Sequence, residues 1–176
     1  VESCLPVSAV LSIDEMACRL MGRERPLIAA LQLAHRVKAA VRERAGSTLR
    51  CSIGMASNRY LAKIASDMEK PDGLVALTPD ILMTALLKLT PRDLPGIGAR
   101  MEKRLQQCGI RTMEQLLALD REAMNAAWNG INGEKLWHWL RGEDFNDSEL
   151  EHQKSIGHSH VLGPELRTIE GAYAVA

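Results

Sequence analysis

The chain has 176 residues, 46% of them hydrophobic, enough for one ordinary domain or two small ones with a packed core. Its 22 Lys and Arg balance 22 Asp and Glu, so net charge alone makes no case for a nucleic-acid partner. The sequence has no signal peptide and no apolar run of about 20 residues, which excludes the membrane.

Residues 7–16 (VSAVLSIDEM) are apolar and β-branched and predict a strand ending in Asp14 and Glu15. Paired carboxylates offer hard oxygen ligands suited to Mg²⁺. Strict alternation would send them to opposite faces, so a shared metal requires a strand end or bulge; a solvated strand end is the other reading. Leu27, Leu31, Ala34, Val37 and Val41 recur at helical spacing, with Arg36, Lys38, Arg42 and Glu43 off that face, predicting a helix that stops at Gly46. Leu49, Cys51, Ile53 and Met55 alternate with Arg50, Ser52 and Gly54 as in a half-buried strand. Asn58 caps a helix from Arg59 to about Met68, and residues 74–77 form a further short strand. Lys63 and Lys70 stand seven apart, on nearly one face if the helix persists to Lys70. They suit a triphosphate or a DNA phosphate, or form a solvated basic face.

From Thr78 and Pro79 onward the pattern changes to short helices, predicted over residues 80–89, 91–94, 99–108, 112–119, 121–128 and 133–141. Within them, residues 93–119 (DLPGIGARMEKRLQQCGIRTMEQLLAL) form a helix-hairpin-helix pattern. Gly96 and Gly98 can adopt positive φ and carry no Cβ, so a phosphate can approach the N–H groups of the helix opening near Ala99. Arg92, Arg100, Lys103, Arg104 and Arg111 outnumber Asp93 and Glu102 beside this loop, although the surrounding residues 79–152 are acidic. An ordinary glycine turn is the alternative. Trp128, Trp137 and Trp139 read as closing the helical core, with base stacking as the alternative. Residues 143–153 are polar and acidic and predict a linker; a strand over 154–163 and a helix from Glu165 follow. The four cysteines lack CxxC spacing and a nearby His, so they read as reduced core thiols. The five histidines do not cluster, and Ser47, Ser52 and Ser57 lack a nucleophile-elbow context.

Four blocks in order, SIDE, CSIGMASNRYLAKIASDMEKPDGL, LPGIG with its CGIRT turn, and QKSIG, resemble a Y-family translesion DNA polymerase of the bacterial DinB, or DNA polymerase IV, type. The resemblance implies an α+β fold: a partial palm (βαβαβ-like, residues 1–78), an all-helical thumb with the helix-hairpin-helix (79–151), and the start of a little finger domain (152–176). It implies that Asp14 and Glu15 are catalytic, metal-binding carboxylates of a two-Mg²⁺ site that is incomplete in this chain. Lys70, with Lys63 in the same neighbourhood, would bind the nucleotide triphosphate. Gly96, Gly98, Arg100, Lys103, Lys154 and Ser155 would contact DNA. Primer-template DNA and a deoxynucleoside triphosphate are the implied partners, with a processivity clamp reached through a C-terminal segment, in a bacterial cytoplasmic, nucleoid-associated setting. The family's first catalytic carboxylate and its fingers would precede Val1, so the chain reads as a fragment inactive by itself that binds duplex DNA without sequence preference. The aspartate usual a few places after SIDE is lacking at residues 16–20. Two rivals remain at this point: a catalytically inactive polymerase-like accessory protein, and a stand-alone helix-hairpin-helix DNA-binding module.

Overall fold

A computed structural model describes residues 1–145 together with Pro164, Thr168 and Glu170. The linker, strand and helix expected after residue 145, with Lys154 and Ser155, lie outside the described residues. Val1–Phe145 form one compact unit.

The chain begins with a β-hairpin, β1 (Ala9–Val10) and β2 (Met16–Ala17), antiparallel with Ala9 opposite Ala17 and Val10 opposite Met16. This corrects the single strand expected over residues 7–16. The reason is local: Ser12 Oγ donates to Asp14 Oδ1 at 2.7 Å and accepts from Asp14 N–H at 3.4 Å, and Leu11 N–H closes onto Glu15 O at 2.9 Å. Short polar side chains that bond their own backbone favour a turn over a ladder.

Helix α1 (Leu27–Ala45) follows, then β3 (Ile53–Met55), α2 (Arg59–Met68) and β4 (Leu74–Ala76). Strands β3 and β4 pair in parallel, Ile53 opposite Leu74 and Met55 opposite Ala76, so β3-α2-β4 is a small crossover unit. The expected alternation of strand, helix, strand, helix and strand holds along the chain, with the first strand folded into the hairpin and the strands paired as two separate sheets, β1-β2 and β3-β4. Gly54 makes the unit possible: a Cβ there would fall 2.0 Å from Ala62 O and 2.3 Å from Ser66 N.

The stripe that α1 buries is Ala30, Leu33, Ala34 and Val37, rotated from the expected one, and Leu27 is left 45% exposed. The rotation brings Lys38, expected to lie off the covered face, over the ends of the parallel pair. Its ammonium donates to Cys51 O at 2.6 Å and Asp72 O at 2.9 Å and pairs with Asp72 Oδ1 at 2.6 Å.

The helical part comprises α3 (Pro79–Leu86), α4 (Ala99–Gln107), α5 (Met113–Leu117), α6 (Arg121–Trp128) and α7 (Ile131–Leu140), with a 3₁₀ turn at Pro91–Asp93. Helix α7 begins two residues before the expected start, because Asn129 in the left-handed conformation and Gly130 turn the chain directly into it. One core joins α2 to these helices: Leu61, Ile64, Leu86, Leu116, Met124 and Leu140 are all nearly inaccessible. Each such side chain contributes about 1.5–3 kcal/mol relative to exposure. Trp128 and Trp137 pack against this core, as expected, and Trp137 Nε1 donates to Leu119 O at 3.1 Å. Asn58 ties α2 to α7 by donating from Nδ2 to Trp139 O at 2.9 Å and Glu143 O at 3.0 Å.

Candidate functional site

The hairpin turn displays Asp14 and Glu15 at its tip, where adjacent residues need not point to opposite faces. The Ser12 hydroxyl holds the Asp14 carboxyl below the usual range, with further help from Lys70 and Lys63. Glu15 Oε1 takes the Lys63 ammonium at 2.6 Å, and Lys63 also meets Asp67 at 3.0 Å one helical turn along α2. Lys70 closes the chain on Asp67 at 2.6 Å. Burial alone would lower the Lys63 pKa, but its bonds to Glu15 and Asp67 outweigh this and raise it. Burial would likewise raise Asp67, and the hydrogen bonds from Lys70 and Lys63 bring it below its ordinary value.

The helix does not persist to Lys70: α2 ends at Met68, and a cis Lys70–Pro71 peptide follows. The two lysines nevertheless converge, through Asp67 rather than through a shared helical face. Asp67 was visible as an i, i+4 partner of Lys63 but was not singled out. Nothing short of the fold places Glu15, 48 residues upstream, on the same lysine.

Asp14 and Glu15 supply two hard donors of the kind Mg²⁺ takes. Among the described residues no group of three His, Cys, Asp or Glu is arranged to hold a metal. Two carboxylates by themselves do not complete a metal site, and Glu15 Oε1 already takes the Lys63 ammonium.

The second feature is the loop at residues 94–98. Leu94 and Ile97 are buried in the helical core, while Gly96 and Gly98 are exposed between and after them. Of the two glycines only Gly96 uses the left-handed region, with φ +88°. Gly98 has φ −80° and ψ 179° as the N-cap of α4, a correction to the expectation that either could be left-handed. No atom lies within 4 Å of a Cβ built at either position. At Gly98 neither backbone nor packing requires glycine, so the open space in front of the first N–H groups of α4 is what its missing side chain provides. Arg100 and Lys103 are exposed beside it and form no ion pair among the described residues, whereas Arg92 is paired with Glu102 at 3.2 Å. The loop is braced from α2: Tyr60 OH donates to Pro95 O at 2.9 Å, and the Tyr60 ring stacks on Trp139 with centroids 5.1 Å apart. Trp139 thus has a packing role.

The described residues form a mixed α+β fold, a carboxylate-bearing hairpin and a small β3-α2-β4 unit joined to a helix-hairpin-helix. The comparisons agree. A model described as the impB/mucB/samB family matches residues 2–67, and one described as DNA polymerase-iota, thumb domain, matches residues 92–144. DNA polymerase IV of Moorella thermoacetica is 34% identical over 168 residues, covering 94% of this chain and 41% of that protein. Among solved structures, DinB from Sulfolobus solfataricus is similar with a TM-score of 0.62 at 27% identity, over 75% of this chain and 38% of that one. The insertion ternary complex of Dbh DNA polymerase gives 0.57 at 26%, over 67% and 33%. The chain belongs to the Y family of DNA polymerases, the group to which the DinB type belongs. It spans about two fifths of the length of the curated relatives it matches. The match over residues 2–67 disfavours a stand-alone helix-hairpin-helix module.

Proposed function

We propose that this chain serves template-directed nucleotidyl transfer in translesion DNA synthesis, with residues 1–78 as the C-terminal part of a palm, 79–151 as the thumb and 152–176 as the start of a little finger. The carrying observation is the display of Asp14 and Glu15 in an exposed turn beside the Lys63–Asp67–Lys70 chain. Asp14 and Glu15 would hold Mg²⁺. Such a metal, when bound, lowers the pKa of a primer 3′-hydroxyl and offsets charge on the pyrophosphate leaving group. Lys63 orients Glu15, and Lys70, more exposed than Lys63, would take an incoming triphosphate on releasing Asp67. Gly96 and Gly98 open the α4 amides to a DNA phosphate, and Arg100 and Lys103 add sequence-independent attraction. Lys154 and Ser155 extend the same DNA track on the resemblance alone, as do the processivity clamp and the cytoplasmic, nucleoid-associated setting. No helix among the described residues is long and apolar enough to cross a membrane.

Primer extension by the full-length protein tests the reading. Asp14→Ala should reduce the single-turnover rate by on the order of a thousandfold or more while primer-template affinity stays within about twofold. Extension at the unaltered rate would exclude Asp14 as a catalytic carboxylate, and extension absent from the unaltered protein as well would favour an inactive, accessory relative.

A further inference from the structure

Helix α2 carries two long-range attachments on successive turns. At Lys63 it grips Glu15 of the carboxylate turn, and at Tyr60, three residues earlier, it grips Pro95 of the glycine loop. Tyr60 is held on both sides: its ring lies flat on Trp139 with an interplanar angle of 18°, and its hydroxyl reaches the carbonyl immediately before Gly96. The Pro95 carbonyl fixes the peptide plane that it shares with Gly96, so anchoring it sets the direction of the Gly96 N–H and the entry of the chain into Gly98. A loop with a left-handed glycine has other accessible conformations, and few packing contacts restrain the exposed Gly96.

We propose that Tyr60 is the positioning residue of the DNA grip: by holding Pro95 it sets the loop amides in their phosphate-receiving orientation and registers them, through α2, to the carboxylate turn. Tyr60 does not touch DNA. The proposal rests on the reading of the loop as a phosphate grip. The expected behaviour separates positioning from contact and from general stability. Removing a direct phosphate contact lowers affinity and also flattens its salt dependence, because one fewer counterion is released. Loss of preorganisation lowers affinity with the salt slope unchanged.

The test is duplex binding by the 176-residue chain between 50 and 200 mM salt, values at which such slopes are readily read. In Tyr60→Phe the stack on Trp139 remains and only the bond to Pro95 is lost. The dissociation constant should rise about three- to tenfold, the size of one hydrogen bond, with an unchanged slope. Lys103→Ala should weaken binding and flatten the slope. Hydrogen exchange of the Gly96, Gly98 and Ala99 amides should accelerate in Tyr60→Phe while that of the Leu61 and Ile64 amides does not. Unchanged affinity and loop exchange in Tyr60→Phe would overturn the proposal even if its melting temperature fell, and so would a flattened slope. Failure of the unaltered chain to bind duplex at all would overturn the grip reading itself, a distinguishable result.

Discussion

Gly98 has a backbone any residue can adopt and open space where a Cβ would stand, so beyond serving as the N-cap of α4 its glycine is not needed for the fold. Gly98→Val should therefore lower the thermal midpoint by only about 2–4 °C, the cost of a poorer N-cap, since neither strain nor clash is introduced. The same substitution places two methyl groups over the first amides of α4 and should weaken duplex binding by at least about tenfold in a gel-shift titration. Binding that survives intact would remove the loop from the interface. Gly96→Val is a poorer probe, because φ +88° adds strain to the blocked approach. Sequence reasoning treated both glycines alike; the residue-level geometry separates a turn-former from a space-maker.

At the scale of elements, α2 is the member to which most other parts attach. Its cap is legible in the sequence, and Asn58 Oδ1 does accept from Leu61 N–H at 2.8 Å. The other half of the same side chain was not legible, because Trp139 and Glu143 lie more than 80 positions downstream and nothing in the spacing announces that their carbonyls end beside the cap. Asn58→Ala should cost about 2–4 kcal/mol in denaturant unfolding, combining a lost cap with two carbonyls left without their donor. Asn58→Asp keeps the cap acceptor but loses the donor, and should be destabilised by most of that amount. If Asp proves as stable as Asn, the tie to α7 contributes nothing and the residue is only a cap. The hairpin failed in the opposite way: the apolar run of residues 7–16 was correctly read as β, but the Ser12–Asp14 side-chain bond that breaks it into two strands competes locally with the ladder.

For the molecule as a whole, charge balance conceals a set of carboxyls whose folded environments favour the ionised form. The Lys38 ammonium, then Arg42, hold Asp72 low, and hydrogen bonds with Lys70 and Lys63 overcome burial at Asp67. A carboxyl lowered on folding contributes stability that is present above its unfolded pKa, about 3.9 for Asp, and is lost as pH falls through the folded value. Stability should accordingly decline as the pH falls below about 4. Asp72→Asn should flatten that acid limb in urea melts recorded between pH 4 and pH 2. An acid limb of unchanged slope would mean that Asp72 titrates alike in both states, and that the Lys38 tie is held by the backbone carbonyls alone.

The sequence by itself determined what is local or carried by ordered blocks: the helices from α1 to α6, the Asn58 cap, the carboxylate pair, the glycine loop and the α+β class, because periodicity, capping and turn chemistry act within a few residues. Only the tertiary structure decided which of those features meet. Lys63 between Glu15 and Asp67, Lys38 over the end of β4, and Tyr60 under the glycine loop are contacts across 34 to 48 positions. They arise because one core packs α2 against the helical part, a second cluster packs α1 beside Ile53 of β3, and Glu15 reaches α2 through Lys63, a matter of shape and burial that no spacing in the chain encodes.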